Sequence, residues 1–348
     1  MALAAMTIAW LHWGLGLIAS AVMVGFVARR QPKADYRLLV AVSYFGLGAT
    51  WHAGPSGSVP LLLATPDNFL IQGGILAEVI GIDRTLLMPF NLVFVPVVMA
   101  ALASLAALLH PREGERVSIA PEVAEQISGY AAPARPTAPT PAQRVEHSPV
   151  LNVALGLAGV VWLVQHFISK GALGGLNLNV VNFAVLIAAV LLHLRPASLG
   201  KAAEEGSRHL HGIVLQFPLY AGMFGIIRNT QLAKKIAEAF VSVASPRTFP
   251  LITFWYSGIL NYFVPSGGSK WAIEAPYLLE AGRRLDVSVE RTAMAYAYGD
   301  MSTNLIQPFW AIPLLSVAKL EFSDILGYEA IAFVVYGALA SVALAWLF

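Results

Sequence analysis

The stretch that decides the fold is Asn261–Leu315, which reads NYFVPSGGSKWAIEAPYLLEAGRRLDVSVERTAMAYAYGDMSTNLIQPFWAIPLL. It is largely apolar, but glycines and prolines interrupt it at Pro265, Gly267, Gly268, Pro276, Gly299, Pro308 and Pro313. Polar and charged residues stand between the apolar ones at Lys270, Glu274, Asp300, Asn304 and Gln307. Irregular backbone at membrane depth is tolerated only where protein buries it or where it lines a wet cavity. Secondary transporters build substrate sites from broken helices of this kind, so the stretch predicts a transport site.

The composition is typical of a polytopic helical membrane protein. Of the 348 residues, 57% are hydrophobic and only 12% are charged, whereas a soluble domain has about 25% charged residues. A net charge of +2 argues against a strongly basic nucleic-acid-binding protein, and the absence of cysteine excludes disulfides. The sequence contains no motif for ATP hydrolysis or zinc proteolysis. We therefore expect a protein that is not an enzyme and needs no metal or cofactor.

Apolar runs long enough to cross about 30 Å of hydrocarbon occur throughout the chain. Five are continuous: Leu86–Leu109, Pro149–Ile168, Asn179–Leu194, His209–Ile227 and Leu326–Phe348. Three are interrupted: Ala4–Val27, Leu38–Ala64 and Phe249–Leu320. The Pro-, Ala- and Arg-rich segment His110–Ser148 predicts a disordered linker, and its arginines place it in the cytoplasm. Ala233–Ala244 predicts a short amphipathic helix at the membrane interface.

An internal repeat relates the two ends of the chain. A shift of the sequence by 253 residues pairs Gly46 with Gly299, Thr50 with Thr303, Pro55 with Pro308 and Pro60 with Pro313. Two prolines with identical spacing in otherwise dissimilar apolar sequence indicate a shared structure. The matching basic turns lie on opposite sides when the crossings are counted, which is the property of an inverted repeat.

We therefore predict an all-α polytopic membrane protein built from two inverted repeats with re-entrant hairpins and broken helices. The first repeat occupies residues 1–109, the cytoplasmic linker residues 110–148, and the second repeat residues 149–348. About a hundred residues precede the core of the second copy, and their counterpart would lie before Met1. The first repeat is thus expected to be truncated, with the remainder in an N-terminal segment or a partner chain.

The tips of the hairpins and the breaks of the helices are the candidate substrate site. Glycines let backbone N–H groups approach a ligand, and the N-terminus of a half-helix favours an anion. The candidate substrate-binding residues are Ser266, Gly267, Gly268, Ser269, Lys270, Thr303, Asn304 and Gln307 in the second copy, and Thr50, Ser56, Gly57 and Ser58 in the first. The competing interpretation is that the small residues and prolines only let helices pack and kink.

Ionisable residues inside a membrane are costly and are functional candidates by default. Asp300, Glu274 and His52 are the candidates for coupling to H⁺ or Na⁺. Each has a structural alternative. Lys270 would pair either with a substrate carboxylate or with Glu274 four residues on, Asp300 would bind a coupling ion or an Arg or Tyr partner, and His52 would simply be hydrogen-bonded in place.

Several blocks of sequence resemble the short-chain fatty acid transporter family (AtoE type), within the ion-transporter superfamily. In the second copy these blocks are Phe263–Gly268, Trp271, Pro276, Ala295–Gly299 and Asn304–Pro313. Elsewhere they are Trp13–Gly16, Ser56–Leu62 and Gln216–Gly222. The resemblance covers almost the whole chain. It departs from the family pattern at Ser269-Lys270, where a glycine and an uncharged polar residue are typical, and at Glu274, where glutamine is typical.

The resemblance implies uptake of short-chain carboxylates such as butyrate or acetoacetate across the cytoplasmic (inner) membrane. It also implies inverted repeats with re-entrant hairpins, movement of one part against the other as an elevator, and a homodimer. The partners expected are thus a small carboxylate, the lipid bilayer, a second copy and the missing N-terminal segment or partner chain, but no nucleic acid. Two alternatives stay open: a truncated or partner-dependent paralogue without autonomous transport, and a transporter of another small organic anion.

Overall fold

A computed structural model of the chain describes residues 1–126, 132–207, 215, 218–219, 222–223, 225–226 and 229–348. Over these residues the protein is all-helical and contains no β-strand, which confirms the predicted fold class. Most of the predicted span His209–Ile227, and most of the Gln216–Gly222 block within it, lies outside the described residues. The described residues form two compact units, one from 1–128 and 220–348 and the other from 129–219.

The first unit holds most of the helices. Its elements before residue 129 are α1 Ala2–Leu11, α2 Trp13–Arg30, α3 Tyr36–Ala49, the 3-10 helix η1 Trp51–Ala53, α4 Ser58–Ala64, α5 Phe69–Gln72, α6 Pro89–Leu108 and α7 Pro121–Gln126. The second unit contains α8 Pro141–Glu146, α9 Val150–Lys170, α10 Leu178–His193 and α11 Pro196–Ser207. The first unit then continues with α12 Leu232–Val243, α13 Phe249–Phe263, α14 Gly267–Arg284, α15 Val289–Ser302, the 3-10 helix η2 Thr303–Leu305, α16 Ile312–Ala318 and α17 Phe322–Trp346.

Four of the described helices are long and apolar enough to cross a membrane: α2, α6, α9 and α17. Three further apolar helices, α1, α3 and α10, are shorter. The long apolar helices expose many large apolar side chains. Val93 on α6 and Val334 on α17, for example, are each 65% exposed. Water would penalise such surfaces, whereas lipid would not. The described helices therefore have the surface of a multi-pass membrane protein.

The two ends of the first unit repeat the same succession of helices. α2 and α14 each have 18 residues, α3 and α15 each have 14, η1 and η2 each have three, and α4 and α16 each have seven. α15 begins at Val289, which lies 253 positions after Tyr36 at the start of α3. The lengths and the offset match the internal repeat in the sequence. The opposite insertion of the two copies stays a prediction.

The helices α3 and α15 form the buried centre of this unit. Nearly every residue of α3, and all of α15 from Thr292 onwards, is buried. At 14 residues each they are only about 21 Å long, so neither crosses a bilayer unaided. Each helix ends a few residues before a proline of the repeat, Pro55 for α3 and Pro308 for α15, and the backbone between is irregular. Proline has no N–H to donate, so it does not continue the helix. The breaks predicted at Thr50–Ser58 and Thr303–Pro308 are therefore present.

Close backbone contact seats each broken helix against the hairpin before it. A Cβ atom on Gly299 would overlap the carbonyl group of Phe254 on α13, and one on Gly46 would lie 2.9 Å from the carbonyl oxygen of Ala5 on α1. Any side chain at either glycine would push the two helices apart. Glycine is therefore required at equivalent points of both copies, which explains why the repeat retains it.

Two predictions outside the repeat have definite outcomes. The helix predicted at Ala233–Ala244 is present as α12, and it buries Ala237 and Phe240 while its lysines stay exposed. The predicted linker is not uniformly irregular, because α7 and α8 lie within it. Its Val117 N–H donates to Asp35 Oδ2 at 2.7 Å, which fastens this part of the segment to the start of α3.

In the second unit α9 and α10 pack as an antiparallel pair joined by a short loop. The Asn152 side chain donates to the carbonyl oxygen of Val190 across this pair, at 3.2 Å. Asn177 caps α10 by accepting from the N–H groups of Asn179 and Val180. An amide that bonds between two apolar helices fixes how they face each other, because it has few other partners inside a membrane.

Candidate functional site

Four irregular segments of the first unit meet at one place, which we call the junction: His12–Trp13, Thr50–Ser58, Val264–Ser269 and Thr303–Trp310. The Trp310 indole donates to the carbonyl oxygen of Pro265 at 3.0 Å. The same indole packs edge-on against Trp13, with 5.6 Å between ring centroids. The backbone N–H of Trp13 in turn donates to Ser56 Oγ at 2.9 Å. Both helix breaks and both hairpin turns are therefore in contact.

The glycines at the start of α14 let this hairpin approach the first-copy break. A Cβ on Gly267 would lie 2.9 Å from His52 Cε1 and 3.0 Å from the Trp51 ring. A Cβ on Gly268 would lie 3.5 Å from Ser58 Cβ. Because Gly267 has no side chain, the backbone of α14 comes directly against the aromatic pair of η1, as the sequence prediction for a hairpin tip requires.

Beneath the hairpin tip lies a buried cluster of charged groups centred on Lys270. The Lys270 ammonium is 3.1 Å from Asp300 Oδ1 and 3.6 Å from Glu274 Oε2. It also donates to the carbonyl oxygen of Ser257 at 3.0 Å and lies 4.2 Å from the centre of the Tyr296 ring. The three charged side chains are at most 2% exposed. The Lys270–Glu274 pair considered from the sequence is present, but the shorter contact is with Asp300.

His52 extends this cluster into the first copy. Its Nδ1 lies 2.9 Å from Asp300 Oδ2, and its Nε2 accepts the backbone N–H of Val59 at 3.2 Å. Since Nε2 accepts, the ring proton is on Nδ1, the nitrogen that lies within ion-pair distance of the carboxylate. The ring also stacks on Trp51 at 4.3 Å between centroids. His52 is thus hydrogen-bonded in place, and it joins the break of one repeat to an acid of the other.

The polar residues of the second-copy break are engaged within the protein. The Asn304 amide donates to the carbonyl oxygen of Leu47 on α3 at 3.0 Å. Its oxygen accepts from Asn261 at 3.0 Å and from Gln307 at 3.1 Å. The Gln307 oxygen accepts the N–H of Phe309 at 2.8 Å. In this conformation Asn304 and Gln307 hold the break in shape and tie it to the first copy.

The two repeat-related threonines make equivalent hydrogen bonds. Thr50 Oγ1 donates to the carbonyl oxygen of Met6 on α1 at 2.9 Å, and Thr303 Oγ1 donates to that of Gly258 on α13 at 2.8 Å. Each bond ties a broken helix to the first helix of its own hairpin. Thr50, Thr303 and Ser56 therefore have structural partners, although the sequence predicts them as substrate contacts.

The remaining predicted residues surround the start of α14 and are partly exposed. Ser266, Gly267, Gly268 and Ser269 are half-buried, as is Ser58 at the start of α4. Gly57 is the N-cap of α4, where His52 accepts the first-turn N–H of Val59. Ser266 stands at the N-cap of α14 without a side-chain capping bond. The first-turn N–H groups of a helix have no partner inside the helix. This uncapped N-terminus is the part of the junction that can accept an anion.

Several groups that shape the site were not predicted from the sequence. Trp51, Ser257 and Tyr296 contact the charged cluster, and aromatic residues beside both breaks are the signal that could have indicated them. Glu329 was also missed. It is fully buried in α17, and neither carboxylate oxygen has a hydrogen-bond partner among the described residues. An acid within a 25-residue apolar helix was the available signal.

Two hairpins, two broken helices and a buried ionic cluster among apolar helices are features from which secondary transporters build their sites. The family model described as short chain fatty acid transporter matches residues 1–347. The chain therefore belongs to the short-chain fatty acid transporter family, which is a family of transporters and not of enzymes.

Two relatives agree with this assignment, and one solved structure has a similar fold. A protein of Escherichia coli (strain K12), provisionally named a short-chain fatty acid transporter, is 36% identical over 318 residues, which cover 91% of this chain and 71% of the relative. A protein of Haemophilus influenzae with the same provisional name is 34% identical over 322 residues, again 91% and 71% of the two chains. The crystal structure of the YdaH transporter of Alcanivorax borkumensis aligns with 99% of this chain and 79% of its own, with a TM-score of 0.57 and 15% identity, so it shares the fold.

Proposed function

We propose that the protein is a secondary transporter that carries a short-chain monocarboxylate, of the butyrate or acetoacetate type, across the cytoplasmic membrane with H⁺ or Na⁺ as the driving ion. Membership of the family supports the substrate class. The observation that carries the proposal is the uncapped N-terminus of α14, which is half-buried within the junction.

The substrate carboxylate would sit against the first turn of α14. The N–H groups of that turn and the hydroxyl group of Ser269 provide donors, and the positive end of the helix favours an anion. Ser58 faces the same turn from α4, since a Cβ on Gly268 would be 3.8 Å from its Oγ. Leu62 Cδ1, which is 3.7 Å from that same position, provides an apolar surface for the short alkyl chain.

Lys270 would not bind the carboxylate directly in this conformation. Its ammonium is already shared between Asp300 and the Ser257 carbonyl, at 3.1 and 3.0 Å. The substrate would therefore be held by neutral donors and a helix end, which suits a weakly bound substrate that must also be released. Selectivity for small acids would then depend on the limited space between α14 and the first-copy break.

Alternating access would move the hairpin α13–α14 and the break after α15 together. Asn261 and Thr303 are joined at 3.1 Å, and Thr303 also bonds to Gly258, so these elements are tied to one another. The hydrogen bond from Asn304 to Leu47 and the contact between His52 and Asp300 link them to the first copy. We propose that these two links change during the cycle, as an elevator within a homodimer or as a hinge.

Uptake of radiolabelled butyrate into proteoliposomes tests the function. We expect uptake that is driven by an imposed pH or sodium gradient and is inhibited by excess acetoacetate. Replacement of both Ser58 and Ser269 by alanine should raise KM by roughly tenfold or more, because a hydrogen bond to a charged group contributes about 1.5–3 kcal/mol.

Ser242→Ala is the matched control, since this exposed hydroxyl on α12 bonds only to its own helix at Ala239. It should leave KM unchanged. Equal KM values for the double variant and the control would refute binding at the start of α14. Absence of any gradient-driven uptake by the folded protein would refute autonomous transport, and would favour a partner-dependent protein.

A further inference from the structure

The surroundings of the Lys270 ammonium are those of a bound monovalent cation. Its ligands are a carboxylate oxygen of Asp300 at 3.1 Å, a carboxylate oxygen of Glu274 at 3.6 Å and the carbonyl oxygen of Ser257 at 3.0 Å. The face of the Tyr296 ring closes the remaining side at 4.2 Å. Hard cations such as Na⁺ prefer carboxylate and carbonyl oxygens, and aromatic faces also attract cations.

These ligands come from three separate helices. Ser257 lies on α13, Glu274 on α14, and Asp300 with Tyr296 on α15. A positive charge at this point therefore binds the hairpin to the broken helix. Without it, two carboxylates would face each other in a site that is at most 2% exposed. Such an arrangement of buried like charges is strongly unfavourable.

The cluster is also next to the proposed substrate position. Asp300 Oδ2 lies 3.1 Å from where a Cβ of Gly267 would be, at the first residue of α14. His52 adds no positive charge, because its Nε2 accepts from Val59 and only its Nδ1 carries a proton. Lys270 is thus the one cation among the described groups that contacts both carboxylates.

We infer that the Lys270 side chain occupies the place of a bound sodium ion, so that the protein needs no Na⁺ to order this site, and that removal of its charge creates a site for a free monovalent cation. The ammonium is tethered to α14 and is always present. Where the protein works as the proposed transporter, this site would then not couple transport to sodium, and uptake would run in sodium-free buffer.

Thermal unfolding of the purified protein in detergent tests this inference without any substrate. The wild type should melt at the same temperature in sodium chloride and in choline chloride of equal ionic strength. Lys270→Gln keeps most of the length of the side chain but removes its charge. In choline this variant should melt below the wild type, and Na⁺ should raise its melting temperature saturably, by about 2 °C at tenfold excess over Kd.

Two control variants identify the site. Lys235→Gln removes an exposed lysine of α12 and should leave the protein indifferent to the choice of salt. Lys270→Gln combined with Asp300→Asn removes both the ammonium and its nearest carboxylate, so the response to Na⁺ should be lost. A response that survives in this double variant would place the ion elsewhere and would overturn the assignment.

Other outcomes are equally decisive. Saturable stabilisation of the wild type by Na⁺ but not by choline would overturn the inference, and so would identical melting of Lys270→Gln in both salts. Lys270→Gln alone could fail to fold in either salt. In that case the double variant Lys270→Gln/Glu274→Gln, which leaves Asp300 as the single carboxylate, must show the sodium response. Butyrate uptake in sodium-free buffer tests the transport consequence separately, so a failure of the proposed function is distinguishable from a failure of the cation site.

Discussion

Replacement of Gly267 by alanine tests whether the hairpin tip is packed against the first-copy break. The new Cβ would lie 2.9 Å from His52 Cε1, 3.0 Å from the Trp51 ring and 3.1 Å from Asp300 Oδ2. Ordinary van der Waals contact begins at 3.4 Å, so all three groups would have to retreat. His52 has little freedom to do so, because Asp300 at 2.9 Å and the Val59 N–H at 3.2 Å hold both of its ring nitrogens.

Overpacking of this kind destabilises a protein by about 1–3 kcal/mol. Gly327→Ala on α17 is the matched control, since nothing lies within 4 Å of its added Cβ. An alanine in an open helical position stabilises by about 0.5–1 kcal/mol relative to glycine. The two variants should therefore differ by about 1.5–4 kcal/mol. For a chain of 348 residues this corresponds to a difference of roughly 2–6 °C in melting temperature.

The assay is thermal unfolding of both variants in the same detergent, together with initial rates of butyrate uptake. Gly267→Ala should melt lower than Gly327→Ala and should take up butyrate more slowly, because the shift of His52 disturbs Asp300. If Gly267→Ala melts at or above the temperature of Gly327→Ala, the hairpin tip is not packed against the break, and the described junction is incorrect.

Three further changes probe the links between the copies. Asn304→Ala should abolish uptake and lower stability, because it leaves the carbonyl oxygen of Leu47 and the other partners unpaired at about 1–3 kcal/mol each; unchanged uptake in proteoliposomes would contradict this role. His52→Ala should lower the melting temperature, because it removes the acceptor of the Val59 N–H and the polar contact with Asp300. His52→Asn should recover part of the loss, whereas equal losses would show that these polar contacts are unimportant. Trp310→Phe keeps the ring but loses the N–H bond to the hairpin carbonyl, so uptake should fall while stability changes by about 0.5–1.5 kcal/mol; a wild-type rate would assign the indole to packing alone.

Much of the junction could be located from sequence, because the helix breaks depend on local chemistry. Pro308 cannot continue a helix, and Gly267 can follow a tight turn, whatever the rest of the chain does. The roles of the polar residues could not be assigned in this way. Thr303 and Asn304 were expected to face a substrate, but each has protein partners that lie more than 40 residues away in the chain.

In the charged cluster, too, one contact could be predicted from local sequence and the others could not. The spacing of Lys270 and Glu274 at i and i+4 predicted their pairing, since helix geometry alone places them on one face. Nothing in the spacing indicated that Asp300 would be the nearer partner or that His52 would contact it from the other end of the chain. Such contacts require the hairpin to be docked against both breaks, which depends on the packing of four helices.

The sequence by itself determined that this protein is helical and lies in a membrane, and it predicted the repeat of one broken unit, because composition, glycine and proline act through local backbone and solvation. Only the tertiary structure decided which polar groups are engaged within the protein and which remain available. The physical reason is that a buried polar group must find a partner, and the partner that it finds depends on which segments are brought together. At the start of α14 the first-turn N–H groups have no side-chain cap, and that is where we place the substrate.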